Sequence, residues 1–252
     1  MRLLVAFATA AATLPLSVVP LGAASLSVPA EAASAVYGFA WADGKGHLRI
    51  VPKSASRATR RTFAFKALPK AKELRLDYTR AAYGRVTTAC DLKETEGRVA
   101  VDAKGLGRTK CTPAHLADEL GSGPVPVRVE HAGGKATKVN EILVTSWGSP
   151  RTATGTIKRA GDTSVLLTTG GKQIKLGYAY TTAFYRTTAR CGDAWLAGKP
   201  VNADRNGLGK KMCTWTDLTK ALKGAAHPVL VKVDYTPGVD ALNEVWEVYG
   251  DA

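Results

Sequence analysis

Apolar side chains recur at every second position in short runs, and glycine, proline or polar clusters separate the runs. That is the pattern of strands whose residues alternate between two faces. In the C-terminal half, Thr156 to Lys158 and Val165 to Leu167 flank Ala160, Gly161 and Asp162, which predicts a hairpin. Ile174, Leu176, Tyr178 and Tyr180 alternate along a third strand, Val229, Val231 and Val233 along a fourth, and Leu242 to Tyr249 form a fifth beyond Thr236, Pro237 and Gly238. The N-terminal half repeats the plan through Phe39 to Trp41, Leu48 to Ile50, Leu74 to Tyr78, Val125 to Val129 and Val139 to Trp147.

One helix interrupts the strands in each half. Thr214 stands three residues before Asp217, the spacing of a capping box, and Trp215, Leu218 and Leu222 share a face behind it. Thr112, Pro113, Leu116 and Leu120 play the same parts in the other half, and Gly121 and Gly224 are the expected helix ends.

The chain also matches itself. Leu74, Leu76 and Tyr78 return as Ile174, Leu176 and Tyr178; Asp102, Gly105, Leu106, Gly107, Arg108 and Cys111 return as Asp204, Gly207, Leu208, Gly209, Lys210 and Cys213. Val127 and Val129 match Val231 and Val233, and Val139 to Ile142 align with Leu242 to Val245, which sets Asn140-Glu141 against Asn243-Glu244. An ordered series at a near-constant offset is the mark of a duplication. The reading is a mainly β chain with two tandem repeats, at 36–148 and 153–252, and a short joint at 149–152. Each repeat carries one short helix and is long enough for a core of its own. Three strands, a helix and two strands is the order of the five-stranded barrel called the OB-fold, and each repeat resembles it in that order.

Composition adds a compartment. Arg2, an apolar stretch to about Val19 and two small-residue cleavage patterns, Ala30-Glu31-Ala32 and Ala33-Ser34-Ala35, predict a signal peptide over 1–35 and a secreted, extracellular protein. Pro15 and Pro20 break the apolar run, and no later segment is apolar enough for a membrane span. The four cysteines fall two to a repeat, and duplication selects the pairings inside each unit, Cys90 with Cys111 and Cys191 with Cys213.

The formal charge of +14 draws the chain toward anionic partners. Its densest part is an insertion at 52–73 in the first repeat. There Lys53, Arg57, Arg60, Arg61, Lys66, Lys70 and Lys72 precede Glu73 with no acid between them, where the second repeat has little more than Thr169, Gly170 and Gly171. Either this loop grips phosphates, sulfates or wall polymers, or it is a solvated hairpin with Phe63 and Phe65 packed down. The Gly-Leu-Gly loops offer two readings as well: amides that bind an anion with help from Arg108 and Lys210, or a turn beside a disulfide.

Catalysis finds little support. His47, His115, His131 and His227 have no histidine at the matching places, no catalytic residue or cofactor motif stands out, and no histidine lies at metal-ligand spacing from a cysteine. The leading expectation is a non-catalytic protein that binds an anionic polymer or cell-wall surface through its basic face. The second is an inhibitor of an extracellular protease that presents Lys93, Arg98, Lys104 and Arg108 on a disulfide-tied loop, and the third an enzyme with a single site in one repeat.

Overall fold

The computed structural model describes residues 33–195 and 200–249. The predicted leader lies outside them except at its end, where Ser34 and Ala35 already belong to the first strand.

In the first repeat, β1 (Ser34–Ala42) pairs with β2 (His47–Ile50), and the chain then leaves the barrel for a hairpin of β3 (Lys53–Arg57) and β4 (Thr62–Ala67). It returns as β5 (Leu74–Asp77) and β6 (Ala82–Arg85), passes β7 (Thr109–Cys111) and α1 (Pro113–Ser122), and ends in β8 (Val125–Ala132), β9 (Lys135–Glu141) and β10 (Leu143–Val144). β5 pairs with β2 and meets β9 in parallel; β9 pairs with β8, and β8 returns to β1. The circuit is a closed five-stranded barrel. Its third strand is split into β5 and β6 by a turn at Tyr78–Ala81, and β6 continues the parallel pairing with β9.

The second repeat follows the same circuit. β11 (Arg151–Gly161), β12 (Ser164–Thr169) and β13 (Lys172–Gly177) form a meander, β14 (Ala183–Arg186) and β15 (Lys211–Cys213) precede α2 (Trp215–Gly224), and β16 (Val229–Thr236) and β17 (Ala241–Glu247) close back on β11. A single parallel pair, Gly177 with Ala241, joins β13 to β17. β11 begins at Arg151, inside the joint expected at 149–152, because Arg151 and Thr152 already pair with Tyr235 and Asp234.

Each barrel fills its own interior. Leu48, Leu76, Val127, Val129 and Val139 are almost fully buried in the first, with Leu116 and Leu120 of α1 over one end. Ile157, Leu167, Leu176, Val231, Val233 and Val245 do the same in the second beneath Leu218 and Leu222 of α2. These are the alternating positions of the strands and the i, i+4 face of each helix. Thr214 and Asp217 cap α2 reciprocally as expected, while His115 takes the acid's place at α1. Gly121 lies within α1, and Gly123, at φ 148°, is its C-cap; Gly224 is the last residue of α2. Tyr180 leaves the strand pattern and stands exposed because β13 ends at Gly177.

A third, smaller cluster joins the repeats. Phe39 and Trp41 of β1 pack with Ala179, Val239 and Ala241, and the Trp41 indole donates to the Val239 carbonyl at 3.0 Å. Arg49 lies over the Trp41 ring and pairs with Glu73 at 3.3 Å, and Lys175 reaches the same carboxylate from the other barrel. Burial lowers the Arg49 pKa, with Glu73 opposing, and its Nε and Nη2 have no hydrogen-bond partner.

The strand registers correct one part of the repeat. Val127 faces Glu141 and Val129 faces Val139, whereas Val231 faces Glu247 and Val233 faces Val245. Glu141 therefore corresponds to Glu247 rather than to Glu244, and Trp246 stands where Asn140 does. The β16–β17 hairpin carries additional residues, and the resulting offset makes the second Asn-Glu pair a coincidence of sequence. Replacing Glu247 with Gln is expected to cost ~3–5 kcal/mol, because it strands the buried Arg186. The same change at Glu244 should stay within ~0.5 kcal/mol in urea unfolding.

Candidate functional site

The insertion forms a fixed hairpin. β3 touches β1 through Tyr37 and Lys53, and β10 runs parallel to β4 through Leu143–Thr62 and Val144–Phe63. Phe63 is buried against Leu106 and Ile142, and Phe65 meets Phe39 edge to face at 5.3 Å. The register sets Arg57 opposite Phe63 and Lys53 opposite Ala67, on the same face as the inward phenylalanines, and Lys66 opposite Ser54 on the other face. Arg57, Arg60, Arg61, Lys66, Lys70 and Lys72 are exposed, and Lys53 is half-buried. Among the described residues none of the seven forms an ion pair.

At the tip, three of them converge. Arg57, Arg60 and Arg61 surround a shallow depression of about 520 Å³ completed by Val101, Asp102 and Ala103. The Arg57 guanidinium is held by the carbonyls of Arg60 at 2.5 Å and Ala103 at 3.2 Å, which fixes its direction without neutralising it. Lys66, Lys70 and Lys72 lie elsewhere on the hairpin and do not line this depression.

The Gly-Leu-Gly loops direct their amides inward. Asp102 Oδ1 accepts from the amides of Lys104 at 2.8 Å and Leu106 at 2.9 Å, and Asp204 Oδ1 accepts from those of Asn206 and Leu208 at 2.7 and 2.9 Å. These bonds, that of Leu208 foremost, hold the Asp204 carboxyl below its ordinary value. The donors that a bound anion would use are thus already taken by the loop's own acid. Arg108 and Lys210 are exposed at the loop ends, and their amides bond to the carbonyls of Ala100 and Asn202. Gly107 and Gly209 press so close to β6 and β14 that an added Cβ would lie 2.6 Å from Gly84 O or 2.4 Å from Tyr185 O.

Behind each loop lies a buried ion pair. In the second barrel Arg186 meets Glu247 Oε1 at 2.6 Å, with side-chain exposures of 0% and 1%. The other carboxylate oxygen takes the Thr187 amide, and the remaining guanidinium donors bond to the carbonyls of Cys191, Asp193 and Ala194. In the first barrel Arg85 meets Glu141 Oε1 at 3.1 Å, Glu141 also accepts from the Tyr83 hydroxyl and the Val86 amide, and Arg85 reaches the Cys90 carbonyl. Glu141 stands out in the sequence and neither arginine does; the signal that marks both acids is Val-x-Glu-Ile/Val at Val139 and Val245.

The disulfides Cys90–Cys111 and Cys191–Cys213, with Cα separations of 5.7 and 5.6 Å, fasten the segments whose carbonyls hold these guanidinium groups. Of the histidines, His47 bonds to the Lys45 carbonyl, His115 caps α1, His131 meets Ser34 and His227 is exposed, so the four do not converge. Lys93, Arg98, Lys104 and Arg108 are all exposed.

Comparison with known protein families, curated proteins and solved structures finds no match to this chain. The class that fold and site define is a disulfide-bonded tandem β-barrel protein with a cationic hairpin on its first barrel.

One charged group distinguishes the first barrel. Glu119 of α1 is 25% exposed and bonds Arg85 Nη2 at 2.8 Å. Burial raises its pKa; Arg85 opposes, and Glu141 and Asp118 add to the rise. A folded pKa above the unfolded value of about 4.5 means that the folded state holds the proton longer, so the contribution is complete below that pH and is lost as pH rises through the folded value. Urea midpoints measured from pH 4 upward should therefore decline more for the wild type than for Glu119→Gln.

Proposed function

We propose that the protein is exported and binds an anionic polymer or surface through the insertion hairpin, without chemistry at that face. The observation that carries this reading is the convergence of Arg57, Arg60 and Arg61, none ion-paired, at the tip of a hairpin anchored along both strands. Guanidinium groups present paired donors to phosphate, sulfate and carboxylate, and a pre-oriented group loses less freedom on binding. The second barrel closes the same gap with Gly170 and Gly171, so the hairpin is an addition to a unit that folds without it. Two disulfides suit an oxidising compartment, which supports export.

Retention on immobilised polyphosphate tests the reading. Counterion release makes log affinity fall linearly with log salt, by ~0.7–0.9 per neutralised phosphate. The triple change Arg57→Gln, Arg60→Gln, Arg61→Gln should reduce that slope by about 2 to 3. A charge-matched change on the second barrel, Lys158→Gln, Lys172→Gln, Lys220→Gln, should reduce it much less. Equal losses from the two triples would overturn the assignment in favour of diffuse charge.

A further inference from the structure

The geometry points to a second site whose chemistry is opposite to that of the hairpin: the cleft beside α1 in the first barrel takes a primary ammonium or guanidinium group on an aliphatic stem, with Glu119 as its carboxylate partner. This goes beyond the anion-binding reading and does not depend on it.

The cleft measures about 370 Å³ and lies between the end of α1, the segment after β6 and the start of β8. Part of the lining is apolar and includes Trp147, Pro124, Pro126 and Leu143; the Trp147 ring packs on Phe39 and remains 47% exposed. Another part is charged. It holds the carboxylates of Glu94, Glu119 and Glu141 against the cations of Arg85 and Lys93, which leaves one negative charge in surplus.

The inner groups are already engaged with one another and with the backbone. Arg85 is divided among Glu141, Glu119 and the Cys90 carbonyl, and Glu141 is satisfied by Arg85, the Tyr83 hydroxyl and the Val86 amide. One guanidinium therefore answers two carboxylates. Among the described residues Glu119 bonds through Oε1, which leaves Oε2 as the acceptor offered to the cleft. Burial leaves its charged form poorly solvated; Arg85 offsets part of that cost, and the like charges of Glu141 and Asp118 add to it. A ligand cation would supply the missing charge, and an anion would be repelled.

The second barrel has the same ion pair but, among the described residues, no second acid beside it. Its buried leucines, Leu218 and Leu222, match Leu116 and Leu120, so Ala221 stands where Glu119 does and one carboxylate faces one guanidinium. Trp195, from the segment that carries Lys93 and Glu94 in the first barrel, stacks on Phe184 at 5.7 Å and lies 5.8 Å from Arg186. The two repeats thus differ at this place by an aromatic ring in one and a second acid in the other. The apolar part of the lining suits a methylene stem, which can bury its carbons and place its charged head on the acid.

The test is a titration followed by amide chemical shifts of Ser122, Gly123 and Leu143. The probes are N-acetyl-lysine methylamide, its uncharged counterpart N-acetyl-norleucine methylamide, and 1,5-diaminopentane. The lysine probe should give saturable shifts at these amides and the norleucine probe should not. Glu119→Gln should weaken the lysine probe about tenfold, the loss of one charge-assisted hydrogen bond. Trp147→Ala, on the rim, should weaken it several-fold while leaving the remaining amide spectrum native, and it serves if Glu119→Gln fails to fold. The tighter of the diamine and the peptide-like probe identifies the source of the cation. Equal shifts from the norleucine probe, no saturable shift from any probe, or unchanged affinity in the folded variants would overturn the proposal.

Discussion

The architecture depends on a buried guanidinium in each barrel. Arg85 and Arg186 end the strands β6 and β14 inside low-dielectric surroundings, where an uncompensated charge is costly. Compensation comes from far along the chain: a carboxylate at the end of β9 or β17 and carbonyls of the segment that follows the first cysteine of each disulfide. The pair thus links strand three, strand five and the disulfide loop at one point. A pair of this kind adds little net stability relative to an apolar substitute, but removing one partner is severe. The same carboxylate strands also bond, through Glu141 O and Glu247 O, to the close-packed glycines Gly107 and Gly209.

The contact between barrels works differently. Trp41 enters it with its indole nitrogen on the Val239 carbonyl and its ring beneath Arg49. Arg49 is desolvated with two nitrogens unpartnered, so this arrangement is held by apolar packing and by Glu73, which bridges Arg49 and Lys175. The short joint brings the two units together, and the apolar seam of Phe39, Trp41 and Val239 keeps them in contact.

The two repeats share one scaffold and differ at a few places. Among the described residues the cationic hairpin and the second acid beside the buried pair are found on the first barrel. Both additions sit on the first repeat, one rich in unpaired positive charge and the other carrying a local negative surplus. A uniformly basic protein would present one kind of surface; this chain presents two.

The alternation of Leu48, Leu76, Val127 and Val129, the helix caps at Thr112 and Thr214, and the duplicated cysteines were all legible in the sequence. Each is a local signal with a fixed period or spacing, and the disulfide pairing followed from the repeat itself. The partnership of Arg85 with Glu141, and of Arg186 with Glu247, was not legible, because strand register brings together residues separated by 56 and 61 positions. Asn243-Glu244 imitated Asn140-Glu141 by sequence, and only the pairing of β16 with β17 showed which acid faces inward. The convergence of Arg57, Arg60 and Arg61 on the Asp102 loop and the union of Glu119 with Trp147 in one cleft are likewise tertiary facts. Charge density can be counted along a chain, but whether cations meet or scatter is decided by how Phe63 and Phe65 pack the hairpin onto the barrel.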